Sequence, residues 1–302
     1  MARRLMVTGY GGFVAGSVVW QARGNWDVEA LSLIEPPQER PGFRCRQLDL
    51  CDEAALDAIF EQVNPDAVIH TAALADIDYC EAHQEEAERV NVGVTRALAR
   101  LCASRGTKLI FCSTDTVFDG TKGMYAEDDA PRAVNFYAST KIRAESLVRE
   151  LVPNSVVARL SLVMGLPVLG SGNSFLAKMV SALEAHKPVT FPANEVRTPV
   201  DVITLGAAFL ELARSDFAGV MHLAGNTRLN RYDMACQIAE RLGYSRDLVR
   251  ACDSNAMAGR APRPNDASLD NTRARSLLET PMRTLMDGLN LVLEAKEAQS
   301  NE

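Results

Sequence analysis

The sequence has no hydrophobic run approaching the ~20 residues that a membrane-spanning helix needs. Its start, Met1-Ala-Arg-Arg, leads directly into a short apolar segment and not into a signal-peptide core, so a cytoplasmic protein with no membrane partner is expected. There is no surplus of positive charge: 32 Lys and Arg stand against 39 Asp and Glu, for a formal charge of -7. Nucleic acid is therefore not the expected partner, because binding to a phosphate backbone leans on a basic footprint. The seven cysteines (Cys45, Cys51, Cys80, Cys102, Cys112, Cys236 and Cys252) include no Cys-x-x-Cys, and their odd number suits neither a disulfide framework nor a zinc site. The four histidines, His70, His83, His186 and His222, are scattered without the spacing of paired ligands, so no metal is expected.

What is present begins with a nucleotide-binding pattern. Leu5-Met-Val-Thr8 is a short apolar strand, and Gly9-Tyr-Gly-Gly12-Phe-Val-Ala15 follows it and opens a helix to about Ala22. Strand, glycine turn and helix start a βαβ unit in which Gly9 makes the tight turn, Gly12 lets backbone approach a pyrophosphate and Ala15 permits close packing. The helix N-terminus would stabilise the anion. A second strand is expected over Val28–Ile34. Near its end, where a carboxylate would grip the adenosine ribose of NAD, stands Ser32. Arg40, Arg44 and Arg46 follow, and an arginine there suits the 2′-phosphate of NADP, so NADP(H) is favoured over NAD(H). A solvated arginine loop around Pro36, Pro37 and Pro41 is the competing reading.

Farther along, Ala67-Val-Ile-His-Thr71-Ala72-Ala73 is a buried strand ending in small residues, which leave room for a ligand at a parallel strand's carboxyl end. His70, inside that apolar run, reads as a satisfied core histidine. A long helix is expected from Gln84 to Arg105, with Val90, Val94, Leu98 and Leu101 on its core face and Asn91 as a structural polar group. The strand Lys108–Ser113 leads into Thr114-Asp115-Thr116, where a hydroxyl can hydrogen-bond a substrate carbonyl. Tyr137-Ala-Ser-Thr-Lys141 then opens a helix to about Leu151. Residues four apart share a helix face, so the Lys141 charge is expected to lower the Tyr137 pKa from about 10 and fit it as a proton donor. On its own, Tyr-x-x-x-Lys proves little, since about 0.12 occurrences are expected by chance from six Tyr and six Lys in 302 residues; its place after the glycine turn, the Ala-Ala strand end and Ser-Thr gives it weight.

With these motifs the chain resembles the extended short-chain dehydrogenase/reductases, and within them the dTDP-4-dehydrorhamnose reductase type. The resemblance rests on the glycine turn, Thr71-Ala-Ala73, Ser113–Gly120, Tyr137-x-x-x-Lys141, Arg197-Thr-Pro-Val200, Arg263-Pro and Leu269-Asp, and it covers nearly the whole chain. It implies Tyr137 as general acid, Lys141 as its pKa modulator and nicotinamide-ribose ligand, and Thr114 as the carbonyl-orienting hydroxyl. It also implies Phe13 and Val14 over the pyrophosphate and Asp49-Leu50 beside the adenine. Asp115, Thr116 and Leu162 would face the substrate sugar. Thr116 and Leu162 stand where such reductases usually carry Tyr and Trp, which weakens the match to dTDP-4-dehydrorhamnose itself. Thr116 also replaces the glutamate that a related dehydratase would need.

Beyond residue 165 the pattern breaks into shorter elements. A helix capped by Asp201 runs to Arg214, a strand covers Gly219–Gly225, and helices are expected over Tyr232–Leu242 and Met282–Ala298. Arg260 and Arg263 either clamp a nucleotide diphosphate or form a solvated basic loop. The fold expected is α/β: a Rossmann-type, doubly wound parallel sheet (residues 1–165 and 202–226) with a smaller α/β substrate-binding lobe (residues 166–201 and 227–302). The function expected is reduction of a keto group on a nucleotide-activated sugar by NAD(P)H, with a homodimer allowed. The alternatives are a non-catalytic NADP-bound regulatory subunit, resembling that of methionine adenosyltransferase, and a nucleotide-sugar epimerase.

Overall fold

Short, almost wholly buried strands make the centre of the chain, as expected where helices cover both faces of a parallel sheet. The computed structural model describes residues 2–34, 42–169, 173–257 and 259–300. Its main sheet comprises β1 (Arg4–Thr8), β2 (Asp27–Ser32), β3 (Arg44–Gln47), β4 (Ala67–His70), β5 (Lys108–Thr114), β6 (Ser155–Leu160) and β11 (Gly219–Leu223). The strand order is β11-β6-β5-β4-β1-β2-β3, every pairing is parallel, and the order reverses between β1 and β4. A doubly wound sheet of this kind opens its ligand crevice at the strand carboxyl ends beside that reversal.

Alternate residues face opposite layers. Leu5, Val7 and Ile69 join the side chains of α1 (Phe13–Ala22) and α8 (Val202–Arg214) in one apolar cluster. Met6, Val68 and Phe111 join α2 (Glu53–Val63), α5 (Val94–Arg105) and α6 (Phe136–Leu151) in the other. Asp52, Asn135 and Asp201 cap α2, α6 and α8, each accepting from the amide three residues on.

A third cluster gathers the smaller elements. These are α7 (Phe175–Glu184), α9 (Arg231–Arg241), α11 (Leu285–Ser300) and three two-stranded pairings: β7 (Val163–Met164) with β10 (Val200–Asp201), β8 (Val189–Pro192) with β13 (Val249–Cys252), and β9 (Val196–Arg197) with β12 (Leu229–Asn230). The short helix α10 (Thr272–Leu277) packs beside β11. No helix among the described residues is long and apolar enough to cross a membrane.

Four sequence expectations shift. The second strand ends at Ser32, leaving Leu33 and Ile34 exposed. The stretch Arg159–Gly165, whose apolar run with Leu162 at its centre suggests a single strand, is not one: β6 stops at Leu160, the Ser161 amide still donates to the Leu223 carbonyl, and β7 then pairs with β10. The stretch after residue 165 contains a ten-residue helix, α7, started by a Ser174 cap that accepts from the Ala177 amide. The helix over Gln84–Arg105 is interrupted: α4 (Gln84–Ala87) passes through a π turn (Glu88–Gly93) into α5. The wider turn leaves Asn91 facing inward, where its side chain binds the Leu74 amide (2.8 Å), the Leu74 carbonyl (3.1 Å) and the Thr140 hydroxyl (3.1 Å).

Candidate active site

The carboxyl ends of β1, β4, β5 and β6 open into a cleft of about 760 Å³. One side of its floor is the glycine turn. Gly9 has φ +81°, and a Cβ there would lie 2.8 Å from the Ala72 amide nitrogen; one on Gly12 would lie 2.9 Å from the Gly9 carbonyl oxygen. Gly9 is therefore required by packing and by its dihedral angle, and Gly12, whose backbone is extended, by packing alone. Gly12 begins α1 with no capping side chain, so the amides of the first helical turn face the cleft as anion donors. Phe13, Val14, Thr71, Ala72 and Ala73 complete this wall. A groove built of bare backbone, small residues and an uncapped helix N-terminus fits a dinucleotide pyrophosphate.

Ser32 is buried beside Gly11, and its hydroxyl accepts from the Ile34 amide at 3.2 Å. Asp49 and Leu50 follow β3, with the Asp49 carboxylate accepting from the Cys51 amide. These three lie at the strand ends outside the cleft lining. The downstream arginines need correction. Arg44 and Arg46 both turn to Glu29, at 2.9 and 2.6 Å, because a carboxylate with no solvent exposure requires cationic partners. They are tied to the middle of β2, short of the strand ends, and Arg40 lies outside the described residues.

On the opposite wall, Asn135 starts α6 and brings Tyr137 and Lys141 onto one face over β5. Tyr137 is buried, with the Thr114 side chain as a neighbour. The Thr114 hydroxyl also lies 3.1 Å from the Thr116 hydroxyl and 3.3 Å from an Asp115 carboxylate oxygen. The Lys141 ammonium is buried 4.1 Å over the Phe111 ring. The electrostatics differ from the sequence expectation. Desolvation, not the Lys141 charge, dominates, and it raises the Tyr137 pKa while lowering that of Lys141. His70 is a neutral core residue between the Thr8 and Thr95 hydroxyls, its pKa lowered to about 3 by burial and then by Lys141.

The third wall is cationic. Arg197, Arg231 and Arg260 surround the buried carboxylate of Glu195, at 3.8, 3.0 and 3.5 Å. Arg197 also reaches Asp115 at 3.4 Å; burial raises the Asp115 pKa, against the pull of Arg197. Arg263 grips both carboxylate oxygens of Asp78, at 2.7 and 2.8 Å. The side chains of Arg260 and Arg263 are only 20% and 8% exposed, which corrects the reading of a solvated loop. Thr116 and Leu162 both line the cleft.

Sequence reasoning passed over Glu195, Arg231, Asp78 and the buried trio Ser113, Glu145 and Arg159. For Glu145 a signal existed: it stands one helical turn beyond Lys141 on the same face. Among the described residues, no group of three or more His, Cys, Asp or Glu is placed to hold a metal.

Known proteins resemble the chain over most of its length. A methionine adenosyltransferase 2 subunit beta of Mus musculus is 29% identical over 293 residues, 94% of this chain and 86% of its own length. A probable low-salt glycan biosynthesis reductase of Haloferax volcanii is 30% identical over 257 residues, 83% of this chain and 85% of its own. The crystal structure of a dTDP-4-dehydrorhamnose reductase from Bacillus anthracis in complex with NADP superposes with a TM-score of 0.87 at 21% identity, covering 97% of this chain and 99% of that one. The model of the family described as RmlD substrate binding domain matches residues 3–298, and the chain belongs to that family of extended short-chain dehydrogenase/reductases.

Proposed function

We propose that the protein is an NAD(P)H-dependent reductase of a keto group on a nucleotide-activated sugar. The observation that carries this reading is the convergence of Thr114, Tyr137 and Lys141 on a cleft that faces a glycine-built anion groove on one side and an arginine wall on the other. A bound dihydronicotinamide dinucleotide supplies the hydride. Gly9, Gly12, Phe13 and Val14 hold its pyrophosphate, and Thr71, Ala72 and Ala73 leave it room. The Thr114 hydroxyl orients the substrate carbonyl, the Tyr137 hydroxyl gives the carbonyl oxygen its proton, and the Lys141 ammonium stabilises the tyrosinate left behind. Residues 166–201 and 227–302 form the substrate lobe, with Arg260 and Arg263 toward the diphosphate. Purified protein should oxidise NADPH in the presence of a nucleotide-linked keto-sugar; a panel of such sugars without turnover refutes the assignment.

Two finer expectations follow. NADPH should bind more tightly than NADH, because Ser32 leaves no carboxylate to repel a 2′-phosphate. Ser32→Asp should reverse the preference by about tenfold or more in fluorescence titrations, through like-charge repulsion. An unchanged ratio removes Ser32 from the discrimination. Thr116 and Leu162 lack the stacking surfaces of Tyr and Trp, so dTDP-4-dehydrorhamnose should be a slow or high-KM substrate. The double variant Thr116→Tyr/Leu162→Trp should lower that KM by about fivefold if the cleft accepts the added volume; a KM that stays put separates these positions from sugar choice.

A second reading has an observation of its own, the 29% identity to a methionine adenosyltransferase subunit across 94% of the chain. Under that reading the protein binds NADP(H) without consuming it and co-purifies with a larger enzyme. The complete set of Thr114, Tyr137 and Lys141 favours the reductase, since a binding module has no need of a proton donor.

A further inference from the structure

Behind the Tyr137–Lys141 pair lies a buried charge system that the proposed chemistry does not use. Arg159 is among the largest fully buried side chains, at 1% exposure. Its guanidinium holds the Glu145 carboxylate through Nε (3.0 Å to Oε1) and Nη2 (2.8 Å to Oε2). Glu145 is itself buried, and its Oε1 also accepts from the Ser113 hydroxyl at 2.5 Å. Ser113 precedes Thr114 on β5 and lines the cleft. Tyr137, Lys141 and Glu145 follow one another at intervals of four along the buried face of α6.

We propose that Glu145 is a positioning residue for the Tyr137–Lys141 pair: it sets a negative charge between the Lys141 ammonium and the buried Arg159 guanidinium, and it anchors β5 at Ser113 beside Thr114. The inference rests on the reductase reading for the roles of Tyr137 and Lys141, but not for the electrostatics. Without Glu145, a cation that cannot reach water would stand near a second one that must keep its proton.

Other titratable groups face Lys141 and Arg159 from the neighbouring strands. On β4, His70 is held neutral, and on β5 burial pushes the Cys112 thiol up. Burial lowers the Lys141 pKa, and Cys112 and then Glu145, the one carboxylate of the two, oppose it. Behind Arg159, His222 on β11 is lowered to about 3 by burial, and the Glu127 carboxylate is turned to Arg273. On the far side of Tyr137, the Asp115 charge is met by Arg197.

The test reads Lys141 directly. The full chain carrying 13Cε-labelled lysine is titrated by NMR without substrate, with Lys141→Arg identifying the resonance. In Glu145→Gln the Lys141 midpoint should fall by about one pH unit. Glu145→Asp, which restores the charge, should recover most of the shift. Glu145→Gln/Arg159→Met removes both charges and should place the midpoint between the single variant and the native chain. Where the single variant does not fold, the double variant decides, because it leaves no buried ion unpaired; its midpoint should lie below the native value. A Lys141 midpoint unmoved in these variants, with thermal stability alone reduced, makes Glu145 purely structural and overturns the proposal. Because the titration needs no turnover, a failure of the reductase reading shows separately, as a panel of keto-sugars left unreduced. Where a substrate is reduced, the alkaline limb of turnover should move to lower pH with the Lys141 midpoint.

Discussion

Replacing Tyr137 with Phe should cut turnover on any keto-sugar that the protein reduces by about 10² to 10⁴, while dinucleotide affinity changes little. The ring stays in its buried place on α6, so packing survives, and the change removes one hydroxyl beside Thr114. That hydroxyl is the proton donor. Burial raises its pKa, so at neutral pH it is fully protonated and available, and the difficulty is transferred to the tyrosinate that donation creates. The Lys141 ammonium must offset that charge, and burial lowers the Lys141 pKa. A group whose pKa is lowered loses its proton as pH rises through the lowered value. Turnover should therefore fall on the alkaline side as Lys141 deprotonates, before Tyr137 itself ionises. Steady-state kinetics of the Phe variant across that range provides the check. Near-native turnover in the Phe variant would mean that Tyr137 is not the acid, and an alkaline limb that persists unchanged in a Lys141→Arg variant would mean that Lys141 does not set it.

The same residue shows what a sequence does and does not disclose. Tyr137 and Lys141 are legible because their relation is local, one helical turn, and the glycine turn is legible because strand, turn and helix follow in order. The parallel sheet is legible for the same reason, since each buried strand is a short apolar run bounded by turn residues. Burial, by contrast, is collective. The sign of the Tyr137 shift depends on how completely α6 closes over β5, which no spacing of residues states. Long-range pairing is equally silent: Arg263 meets Asp78 across 185 positions of chain, and Arg197 finds Asp115 through the fold of β9 over the cleft. Arg44 and Arg46 looked like phosphate ligands because their sequence neighbourhood was right, whereas Glu29, buried on the adjacent strand, had the stronger claim on them. The π turn at Asn91 escapes for a different reason, since apolar spacing alone does not distinguish one inserted residue from a continuous α-helix.

Gly225→Ala should be the most destabilising single methyl addition among these glycines, costing about 3 kcal/mol or more. Gly225 follows β11 where the chain leaves the main sheet, and its amide donates to the Thr198 carbonyl at 3.0 Å. A Cβ there would lie 2.0 Å from the Pro199 carbonyl oxygen and 3.1 Å from that of Arg283. Both obstacles are backbone atoms, so no side chain can swing aside, and one of the crossing backbone segments must move. The segment that would move carries Thr198, bonded to Ser161 and Leu269, and Arg197, which pairs with Asp115 in the cleft. Gly24→Ala separates this packing effect from dihedral strain. Gly24 has φ +80° with nothing within 4 Å of an added Cβ, so it should cost only about 1 to 2 kcal/mol. Urea unfolding of the two variants beside the native chain measures both. The expected order is native, then Gly24→Ala, then Gly225→Ala, with the last also losing turnover as Arg197 shifts away from Asp115. Equal stabilities for the two variants would mean that the backbone around Thr198 and Pro199 yields to the added methyl, and that Arg197 is not held rigidly against the substrate wall.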